Sequence, residues 1–406
     1  MKLKIAAPAA IRGDINLPFS KSISNRVLMI NKLCNNPYRP TNIAECDDTR
    51  IMQKSITLND NRIDTGSAGT ATRFMTALLA ITPGKWELTG SERMKQRPIG
   101  ILAEALKELG ADIEYTGEKG FLPLAVNGKE LTGGVVEVNG GISSQYISAI
   151  LMIAPYTQKG ITIKFKGEVI SRPYIQMTLS LMKRYGINAE MKDNTIEVPS
   201  GKYTGIPYTV EADWSAASYW YGISSLMQDA DIILEGLDYG SIQGDSRVAS
   251  LFVPLGVATE YNDGCIRLRK CNFVKKHYAA NLSDTPDLAQ TIAVAAALKG
   301  CPFTLSGLQS LRIKETDRIT ALINELGKLG YKLQYYDGTL SWDGTLGNQA
   351  IMPEIATYDD HRMAMAFSLA SLVRDDIVIC DAEVVSKSYP GYWNDLRQVG
   401  FKTEEV

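Results

Sequence analysis

The sequence of 406 residues predicts an α/β protein built from a repeated helix–strand–turn–strand unit. Three observations support this prediction. Five helix-like stretches each end in a glycine, an alternating strand-like run follows each glycine, and successive glycines lie 76, 70, 74 and 70 residues apart. The period is too long for a solenoid, so we interpret the unit as a duplicated supersecondary structure that packs into domains. The glycines are Gly110, Gly186, Gly256, Gly330 and Gly400.

Ordinary backbone preferences account for each part of the unit. Each glycine stands where the C-terminus of a helix favours a left-handed residue. The runs that follow alternate with the period of a strand; in order they are GADIEYT, GINAEMK, GVATEYN, GYKLQYY and GFKTEEV. Turn residues such as Asp193 with Asn194 come next, and a second strand such as Thr195–Val198 is predicted after the turn.

The repeat count predicts two domains. Because the chain accommodates close to six units, we predict a sixth, degenerate copy over residues 47–64. The last copy ends at Val406 before its second strand, and the extended segment 2–5 is the predicted partner. The C-terminal domain is therefore predicted to comprise residues 1–16 with 211–406, and the N-terminal domain residues 17–210.

Composition and charge exclude several classes of protein. Lys and Arg number 43 against 45 Asp and Glu, whereas a general nucleic-acid binder would be strongly basic. No apolar run approaches the ~18 residues of a membrane helix, and the N-terminus is not typical of a signal peptide, so a cytoplasmic location is expected. The six cysteines form no CxxC pair and only two histidines are present, which argues against a metal centre. Proton transfer must therefore rest mainly on Asp, Glu and Lys.

Several predicted helices begin with a small or acidic residue and a nearby cation or amide. Such helix starts present unsatisfied N–H groups and bind anions. The helix dipole disfavours a first-turn cation by ~0.3–1 kcal/mol, yet Arg73, Arg318 and Arg362 are predicted at such positions. A bound anion would offset this cost, so the sequence predicts a ligand with several negative charges. The segments are 18–26, 66–74, 140–146, 170–176, 285–291, 312–318 and 358–364.

At these segments the sequence resembles the 5-enolpyruvylshikimate-3-phosphate synthases of the enolpyruvyl transferase family. The similarity covers essentially the whole chain, and the motifs occur in order; they are LPFSKSISNR, SAGTATR, RMKQRPI, SSQ, SRPY, IQGDSR, TPD, RIKETDR, DDHRMAM and SKSYPGYW. The resemblance implies a two-domain inside-out α/β barrel, each domain built of three βαβαββ-like repeats around parallel helices. It also implies an active site in the cleft between the domains, which close around their substrates.

The resemblance implies two sets of binding residues. Those implied for shikimate-3-phosphate are Lys21, Ser22, Arg26, Ser143, Ser144, Gln145, Ser171, Asp287, Ser310 and Lys314. Those implied for phosphoenolpyruvate are Lys21, Gly69, Arg97, Gln145, Arg318, Arg362 and Lys387. Arginine suits such ligands because its planar fork binds carboxylate and phosphate in a bidentate manner and is always charged. The small-molecule substrates are the expected partners, and nucleic acid, membrane and a second subunit are not.

The implied reaction is an addition followed by an elimination. The 5-hydroxyl of shikimate-3-phosphate adds to C2 of phosphoenolpyruvate while C3 is protonated, and loss of phosphate and a C3 proton then gives the enol ether. Asp287 is the implied base for the hydroxyl. Glu315 and Lys387 are the candidates for the C3 proton, and Lys21 is included among the catalytic residues. The implied mechanism requires no metal and no organic cofactor.

Four residues depart from the pattern of the family. Phe19 stands where many relatives have glycine, and Ser310 where many have asparagine beside the shikimate phosphate. Phe74 replaces a common proline, so sensitivity to the inhibitor glyphosate does not follow from the resemblance. Arg172 replaces a frequent lysine. None of these positions carries an implied acid or base.

Three other functions stay open at this point. The related enzyme that uses UDP-N-acetylglucosamine typically has a Lys-Asn pair and a reactive loop cysteine, whereas this chain has Lys21-Ser22 and no cysteine in residues 84–100. RNA phosphate cyclases reuse similar structural units, but no basic–aromatic stripe is present here. A catalytically silent anion-binding protein would need the helix-end cations but neither Asp287 nor Glu315.

Overall fold

The chain folds into two compact units. The computed structural model describes the backbone of residues 1–406 and every side chain except those of residues 273 and 274. We call Ser20–Val210 the N-terminal unit, and Met1–Phe19 together with Glu211–Val406 the C-terminal unit. No helix among the described residues is both long enough and apolar enough to cross a membrane.

Helices and short strands alternate along the whole chain. The α-helices are α1 (Lys21–Leu33), α2 (Asp47–Ser55), α3 (Gly69–Ile81), α4 (Glu92–Lys95), α5 (Gly100–Glu108), α6 (Ser144–Ile153), α7 (Arg172–Arg184), α8 (Trp214–Leu226), α9 (Val248–Leu251), α10 (Ala289–Leu298), α11 (Arg318–Lys328), α12 (His361–Ser368) and α13 (Tyr392–Gln398). The strands are β1 (Leu3–Ala6), β2 (Ile11–Asn16), β3 (Arg62–Asp64), β4 (Gly84–Thr89), β5 (Asp112–Tyr115), β6 (Leu124–Gly128), β7 (Gly134–Asn139), β8 (Ile161–Lys166), β9 (Met191–Lys192), β10 (Thr195–Val198), β11 (Ala230–Glu235), β12 (Leu255–Asn262), β13 (Cys265–Val274), β14 (Tyr278–Asn281), β15 (Phe303–Ser306), β16 (Gln334–Tyr336), β17 (Thr339–Trp342), β18 (Glu354–Ile355), β19 (Ile377–Ile379) and β20 (Lys402–Glu405).

In the described part of the chain, these strands form five four-stranded sheets with one shared topology. In each sheet two neighbouring strands run parallel, and the other two extend the sheet in the antiparallel sense. The strand orders are β3-β4-β6-β5 and β7-β8-β10-β9 in the N-terminal unit, and β2-β11-β13-β12, β14-β15-β17-β16 and β18-β19-β1-β20 in the C-terminal unit. The repeated unit of the sequence is therefore a repeated sheet in the structure.

Four of the five predicted helix-ending glycines are confirmed, whereas Gly256 lies inside strand β12, after helix α9 has ended at Leu251. All five have a left-handed backbone, with φ between 87° and 104°. At each one the glycine N–H donates to the carbonyl three residues earlier, and the next N–H donates to the carbonyl five residues before it, as in Gly110 to Lys107 and Ala111 to Leu106. This Schellman arrangement satisfies carbonyl groups that the end of a helix leaves without partners.

The predicted pairing of the two chain ends is also confirmed. Strand β1 lies antiparallel to β20, with Leu3 opposite Glu405 and Ile5 opposite Thr403. Leu3 and Ile5 are buried, so the N-terminal strand contributes apolar side chains to the core of the C-terminal unit.

The prediction of a sixth copy over residues 47–64 is wrong in its details. Helix α2 ends at Ser55, and the left-handed residue that follows is Leu58 rather than a glycine. Strand β3 then pairs in parallel with β4, so it opens the next sheet instead of forming a hairpin. The physical reason is that the chain enters α3 directly after β3, and a strand followed by a helical crossover pairs in parallel with the strand after that helix.

The core of each unit consists of helices. In the C-terminal unit every residue of α10 and α12 is buried, and nearly every residue of α8. In the N-terminal unit nearly every residue of α3 is buried. Strands such as β8 bury one face and expose the other. A helix that is apolar on all sides belongs inside a protein, so the helices lie within each unit and the sheets cover them, as the predicted inside-out α/β class requires.

Candidate active site

Three buried helices of the C-terminal unit run side by side with their N-termini at the same end. Ser218 near the start of α8 lies 3.2 Å, oxygen to oxygen, from Thr291 near the start of α10. Arg362, the second residue of α12, contacts Asp287, which precedes α10. Acidic N-caps begin two of these helices, Asp213 for α8 and Asp360 for α12. Their partial positive charges therefore converge on one region.

Asp287 lies at the centre of this region, surrounded by three cations. Its Oδ2 accepts a hydrogen bond from Arg362 Nη2 at 2.7 Å, and its Oδ1 accepts one from Arg318 Nη1 at 3.1 Å. Lys314 Nζ lies 3.7 Å from the same Oδ1. The structure thus brings four sequence-predicted site residues into direct contact.

Arg318 connects Asp287 to two further carboxylates. Its Nη2 donates to Glu315 at 2.8 Å and its Nε donates to Asp360 at 2.7 Å. Arg318 is the first residue of α11 and is almost fully buried. The cost of placing a cation at a helix N-terminus is therefore offset by the protein's own carboxylates. We call Asp287, Lys314, Glu315, Arg318, Asp360 and Arg362 the Asp287 cluster.

The charges of this cluster determine how its members titrate. Burial alone would raise the pKa of Asp287, but Arg362, Lys314 and Arg318 outweigh burial and hold this pKa well below its usual range. Burial lowers the pKa of Lys314 in spite of the neighbouring Asp287. Burial also disfavours the Arg318 cation, yet Asp360, Glu315 and Asp287 together raise the pKa of Arg318. Asp287 is accordingly an ionised carboxylate that is held by cations.

Two more predicted residues of the C-terminal unit lie outside these contacts. Lys387 Nζ is 2.6 Å from Asp359 Oδ1 and donates to the Asp359 carbonyl at 2.7 Å. Ser310 belongs to a short 3-10 helix, Gln309–Ile313, that leads directly to Lys314. Asp359 adjoins Asp360, so the anchor of Lys387 is covalently next to a member of the Asp287 cluster.

In the N-terminal unit the structure brings together Gly69, Arg97 and Gln145. A β-carbon added to Gly69 would lie 2.8 Å from Arg97 Nη1, so the guanidinium packs directly on the glycine backbone. Gln145 Nε2 donates to Thr70 Oγ1 at 3.1 Å, which connects the start of α6 to the start of α3. All three are residues that the family resemblance assigns to phosphoenolpyruvate.

Apart from Arg26, the remaining predicted residues of the N-terminal unit lie at helix starts. Lys21 is the first residue of α1, and its Nζ is 3.1 Å from Asp48 at the start of α2. Ser143 caps α6 by accepting from the Gln145 N–H, and Ser144 begins that helix. Ser171 precedes α7 with a left-handed backbone, at φ 54°. Ser22 is half-buried in the first turn of α1.

Arg26 is buried among three helices. Its Nε donates to Thr178 Oγ1 of α7 at 2.7 Å, and its Nη2 donates to Ser148 Oγ of α6 at 3.0 Å. Burial lowers its pKa to about 10. These contacts give Arg26 a role in aligning α1, α6 and α7, and its contact with shikimate-3-phosphate stays a prediction.

Arg73 does not occupy the first helical turn that the sequence predicts. Helix α3 begins at Gly69, so Arg73 is its fifth residue. Its guanidinium donates to the carbonyls of Gly69 and Pro98. It also packs over the ring of Tyr146. The prediction was wrong because the helix begins already at Gly69, so Arg73 lies beyond its first turn. Neutral backbone carbonyls accept from its guanidinium in place of an anion.

Comparison with known proteins identifies the family. A family model described as EPSP synthase (3-phosphoshikimate 1-carboxyvinyltransferase) matches residues 52–396. The chain belongs to the EPSP synthase family. A 3-phosphoshikimate 1-carboxyvinyltransferase of Bacteroides fragilis is 52% identical over 403 residues, which cover 99% of this chain and 98% of that protein. The enzyme of the same name from Shewanella loihica is 37% identical over 421 residues, covering 97% and 98%.

Solved EPSP synthase structures have the same fold. An EPSP synthase structure from Acinetobacter baumannii superposes with a TM-score of 0.78 at 21% identity, and covers 100% of both chains. The predicted fold class is thereby confirmed. The family model and the Bacteroides fragilis relative confirm the resemblance to this family.

Sequence reasoning missed four carboxylates of this EPSP synthase family member. Asp48 and Asp359 hold Lys21 and Lys387, and Asp360 holds Arg318. Asp245 is buried in the IQGDSR segment, where it accepts a hydrogen bond from Ser215. The signal was present in part, because Asp360 is an acidic residue directly before a predicted helix, the usual pattern of an N-cap.

Proposed function

We propose that this chain is a 3-phosphoshikimate 1-carboxyvinyltransferase. It transfers the enolpyruvyl group of phosphoenolpyruvate to the 5-hydroxyl of shikimate-3-phosphate and releases phosphate. The family match and the 52% identity to the Bacteroides fragilis enzyme support this activity. The observation that carries the mechanism is the contact of Asp287 with Arg362 and Arg318.

The family motifs assign the cations and their neighbours to the two anionic substrates. Phosphoenolpyruvate, with a carboxylate and a phosphate, is bound by Arg318, Arg362 and Lys387 of the C-terminal unit and by residues of the N-terminal unit, namely Lys21, Gly69, Arg97 and Gln145. The ligands of shikimate-3-phosphate are Lys21, Ser22, Arg26, Ser143, Ser144, Gln145, Ser171, Asp287, Ser310 and Lys314. The burial of Arg97, Arg318 and Arg362 supports their role as ligands of an anion, since charge-assisted bonds are strongest where water is excluded.

Binding of phosphoenolpyruvate activates Asp287 as a base. A general base is most effective when its pKa lies near the working pH, and in the ligand-free protein the pKa of Asp287 is far below that range. The substrate's anionic groups compete for the guanidinium of Arg362, which now donates to Asp287. As this contact weakens, the pKa of Asp287 rises and the carboxylate accepts the proton of the 5-hydroxyl.

The same competition also releases Glu315, the proposed acid for C3 of phosphoenolpyruvate. Glu315 is held by Arg318 at 2.8 Å, and an anion on Arg318 loosens that contact. Glu315 then takes up a proton from solvent and delivers it to C3 as the hydroxyl adds to C2 and passes its own proton to Asp287. Lys387 together with Lys21 stabilises the negative charge of the tetrahedral adduct. Removal of a C3 proton and departure of phosphate complete the reaction, with Lys387 as the second candidate for the proton.

Phosphate release tests this function directly. We expect release by the full chain only with phosphoenolpyruvate and shikimate-3-phosphate together, and none with UDP-N-acetylglucosamine as acceptor. Asp287→Asn and Glu315→Gln should each reduce release strongly. If both variants release phosphate as fast as wild type, the two carboxylates are not catalytic. The chain would then be an anion-binding protein, and the phosphate would come from another source. A cytoplasmic location and a monomeric state stay predictions, to be tested by cell fractionation and light scattering.

A further inference from the structure

The loop before α12 has an unfavourable backbone. Tyr358 and Asp359 are consecutive residues with φ of 55° and 56°, in the left-handed region that side chains other than glycine rarely occupy. Two such residues in succession persist only where surrounding contacts impose them, and such strain is often found beside functional groups.

This loop holds the cations of the proposed phosphoenolpyruvate site. Asp359 binds Lys387 through both its carbonyl and its carboxylate. Asp360 accepts from Arg318 Nε at 2.7 Å, and also from the backbone N–H of Arg362 at 2.9 Å. A shift of this loop would therefore displace all three cations at once.

A fully buried carboxylate holds the loop from its other side. Glu325 Oε2 accepts from the Ala356 N–H at 3.0 Å, and Oε1 accepts from the Tyr358 hydroxyl at 2.7 Å. Lys328 Nζ, on the more exposed side, donates to Oε2 at 2.7 Å and neutralises the charge. The two groups that donate to Glu325 belong to Tyr358, one of the strained residues, and to Ala356, two residues before it.

Helix α11 thus grips the loop at two points. Glu325 follows Arg318 by seven residues, a spacing that places both on one face of a helix. Arg318 binds Asp360 at one end of the loop, and Glu325 binds Ala356 and Tyr358 at the other. The strained residues Tyr358 and Asp359 therefore lie between Ala356, whose N–H donates to Glu325, and Asp360, which accepts from Arg318.

We propose that Glu325 is a positioning residue, which imposes the strained loop and so fixes Lys387, Arg318 and Arg362 for phosphoenolpyruvate. This inference rests on the proposed function for the identity of the ligand. Glu325 contacts no proposed substrate ligand directly. Its effect is transmitted through residues 356–360.

Kinetic constants for both substrates test the proposal. In Glu325→Gln one carboxylate oxygen becomes an NH2 group that cannot accept from the loop, so we expect the KM for phosphoenolpyruvate to rise about tenfold. The KM for shikimate-3-phosphate should change less than about twofold, because Lys387, Arg318 and Arg362 are not among its proposed ligands. Tyr358→Phe removes one bond and should give a smaller rise, roughly threefold.

The matched control is Lys328→Gln. It removes the ion pair of Glu325 and the bond from Lys328 Nζ to the Glu354 carbonyl, but it leaves both bonds between Glu325 and residues 356–358. Its Tm should therefore fall while both KM values stay within about twofold of wild type. If Glu325 has only a structural role, Glu325→Gln should likewise lower the Tm and leave both KM values nearly unchanged.

Amide hydrogen exchange over residues 356–362 provides a readout that does not depend on activity. We expect faster exchange in Glu325→Gln and Tyr358→Phe than in wild type and Lys328→Gln. An inactive wild-type protein would reject the proposed function, and the exchange rates would still decide whether Glu325 imposes the loop. Wild-type exchange in both loop variants, or equal changes of both KM values, would overturn the proposal.

Discussion

Arg362 Nη2 lies 2.7 Å from Asp287 Oδ2, so a carboxylate of the protein itself occupies part of the proposed anion site. The sequence predicts helix-end cations that await an external anion. The structure instead gives them internal counter-ions, which a substrate must displace. Affinity for the substrate anion is reduced by this competition, and in exchange the displaced carboxylate becomes available as a base.

Asp287→Asn should therefore separate anion binding from turnover. Without the internal carboxylate, Arg362 and Arg318 are freer to bind an external anion, and inorganic phosphate should bind more tightly than to wild type. Loss of the base should lower kcat by roughly 10²–10⁴-fold. Calorimetric titration with phosphate and steady-state kinetics measure the two effects.

Asp376→Asn is a suitable control for this change. Asp376 also binds an arginine, Arg374, at 2.7 Å, but it belongs to no proposed site. We expect wild-type phosphate binding and turnover from this variant. Weaker phosphate binding in Asp287→Asn would contradict the idea of competition.

Arg318→Lys should damage the site although the charge is kept. The guanidinium of Arg318 reaches Asp287, Glu315 and Asp360 at once, and an ammonium group cannot reproduce this geometry. Loss of one or two charge-assisted bonds should raise the KM for phosphoenolpyruvate about 10- to 100-fold. Thermal unfolding should also show a lower Tm, because Asp360 is fully buried.

The corresponding control is Arg374→Lys, whose partner Asp376 lies nearer the surface. This variant should keep both KM values and nearly the whole Tm. Similar kinetics for the two lysine variants would show that a point charge at position 318 is sufficient, against the expectation.

The local part of the fold was predictable from the sequence, and the reason is physical. A Schellman turn depends on residues within one helical turn of a glycine, so Gly110 and Gly400 could be recognised by position alone. The parallel pairing of β3 with β4 depends on a crossover through α3. No local pattern in residues 47–64 encodes that partner, so the sixth copy was misplaced.

The cations of the site were predictable from the sequence. The carboxylates Asp48, Asp359 and Asp360, which bind three of these cations, were not. Arg318 and Arg362 stand at helix starts that sequence punctuation reveals, and the family motifs assign them to a substrate. Of the three carboxylates that bind Arg318, the one that was not predicted, Asp360, lies 42 residues away along the chain. Only the packing of α11 against the start of α12 brings the two together, so the internal counter-ions required the structure.

Gly69→Ala should weaken phosphoenolpyruvate binding through Arg97. The added methyl group would lie 2.8 Å from Arg97 Nη1 and would displace the guanidinium. Because small displacements at a reacting site can cost up to about 10²-fold, we expect the KM for phosphoenolpyruvate to rise by roughly tenfold. The KM for shikimate-3-phosphate should stay close to wild type.

Gly240→Ala provides the control for this substitution. Nothing lies within 4 Å of a β-carbon at that position, so neither KM should change. An unchanged KM for phosphoenolpyruvate in Gly69→Ala would show that Arg97 is not a ligand or that it has room to move.

The pH dependence of stability should report on Asp245. Burial first, and then the nearby charge of Asp287, raise the pKa of Asp245 from 3.8 to about 7 in the folded protein. Between these two values the folded state binds more protons than the unfolded state, so this group lowers stability as pH rises from about 4 to about 7. The cations around Asp287 hold that carboxylate's pKa low and act in the opposite direction at acidic pH.

Asp245→Asn isolates the contribution of this single group. The amide oxygen can still accept from Ser215, which donates to Asp245 in the wild-type protein, but it carries no charge at any pH. The difference in Tm between variant and wild type should therefore increase in favour of the variant from about pH 4 to about pH 7 and then level off. Thermal unfolding at several pH values measures it. A difference that is constant with pH would mean that Asp245 has the same pKa in the folded and the unfolded chain. Its burial beside Asp287 would then not shift that pKa.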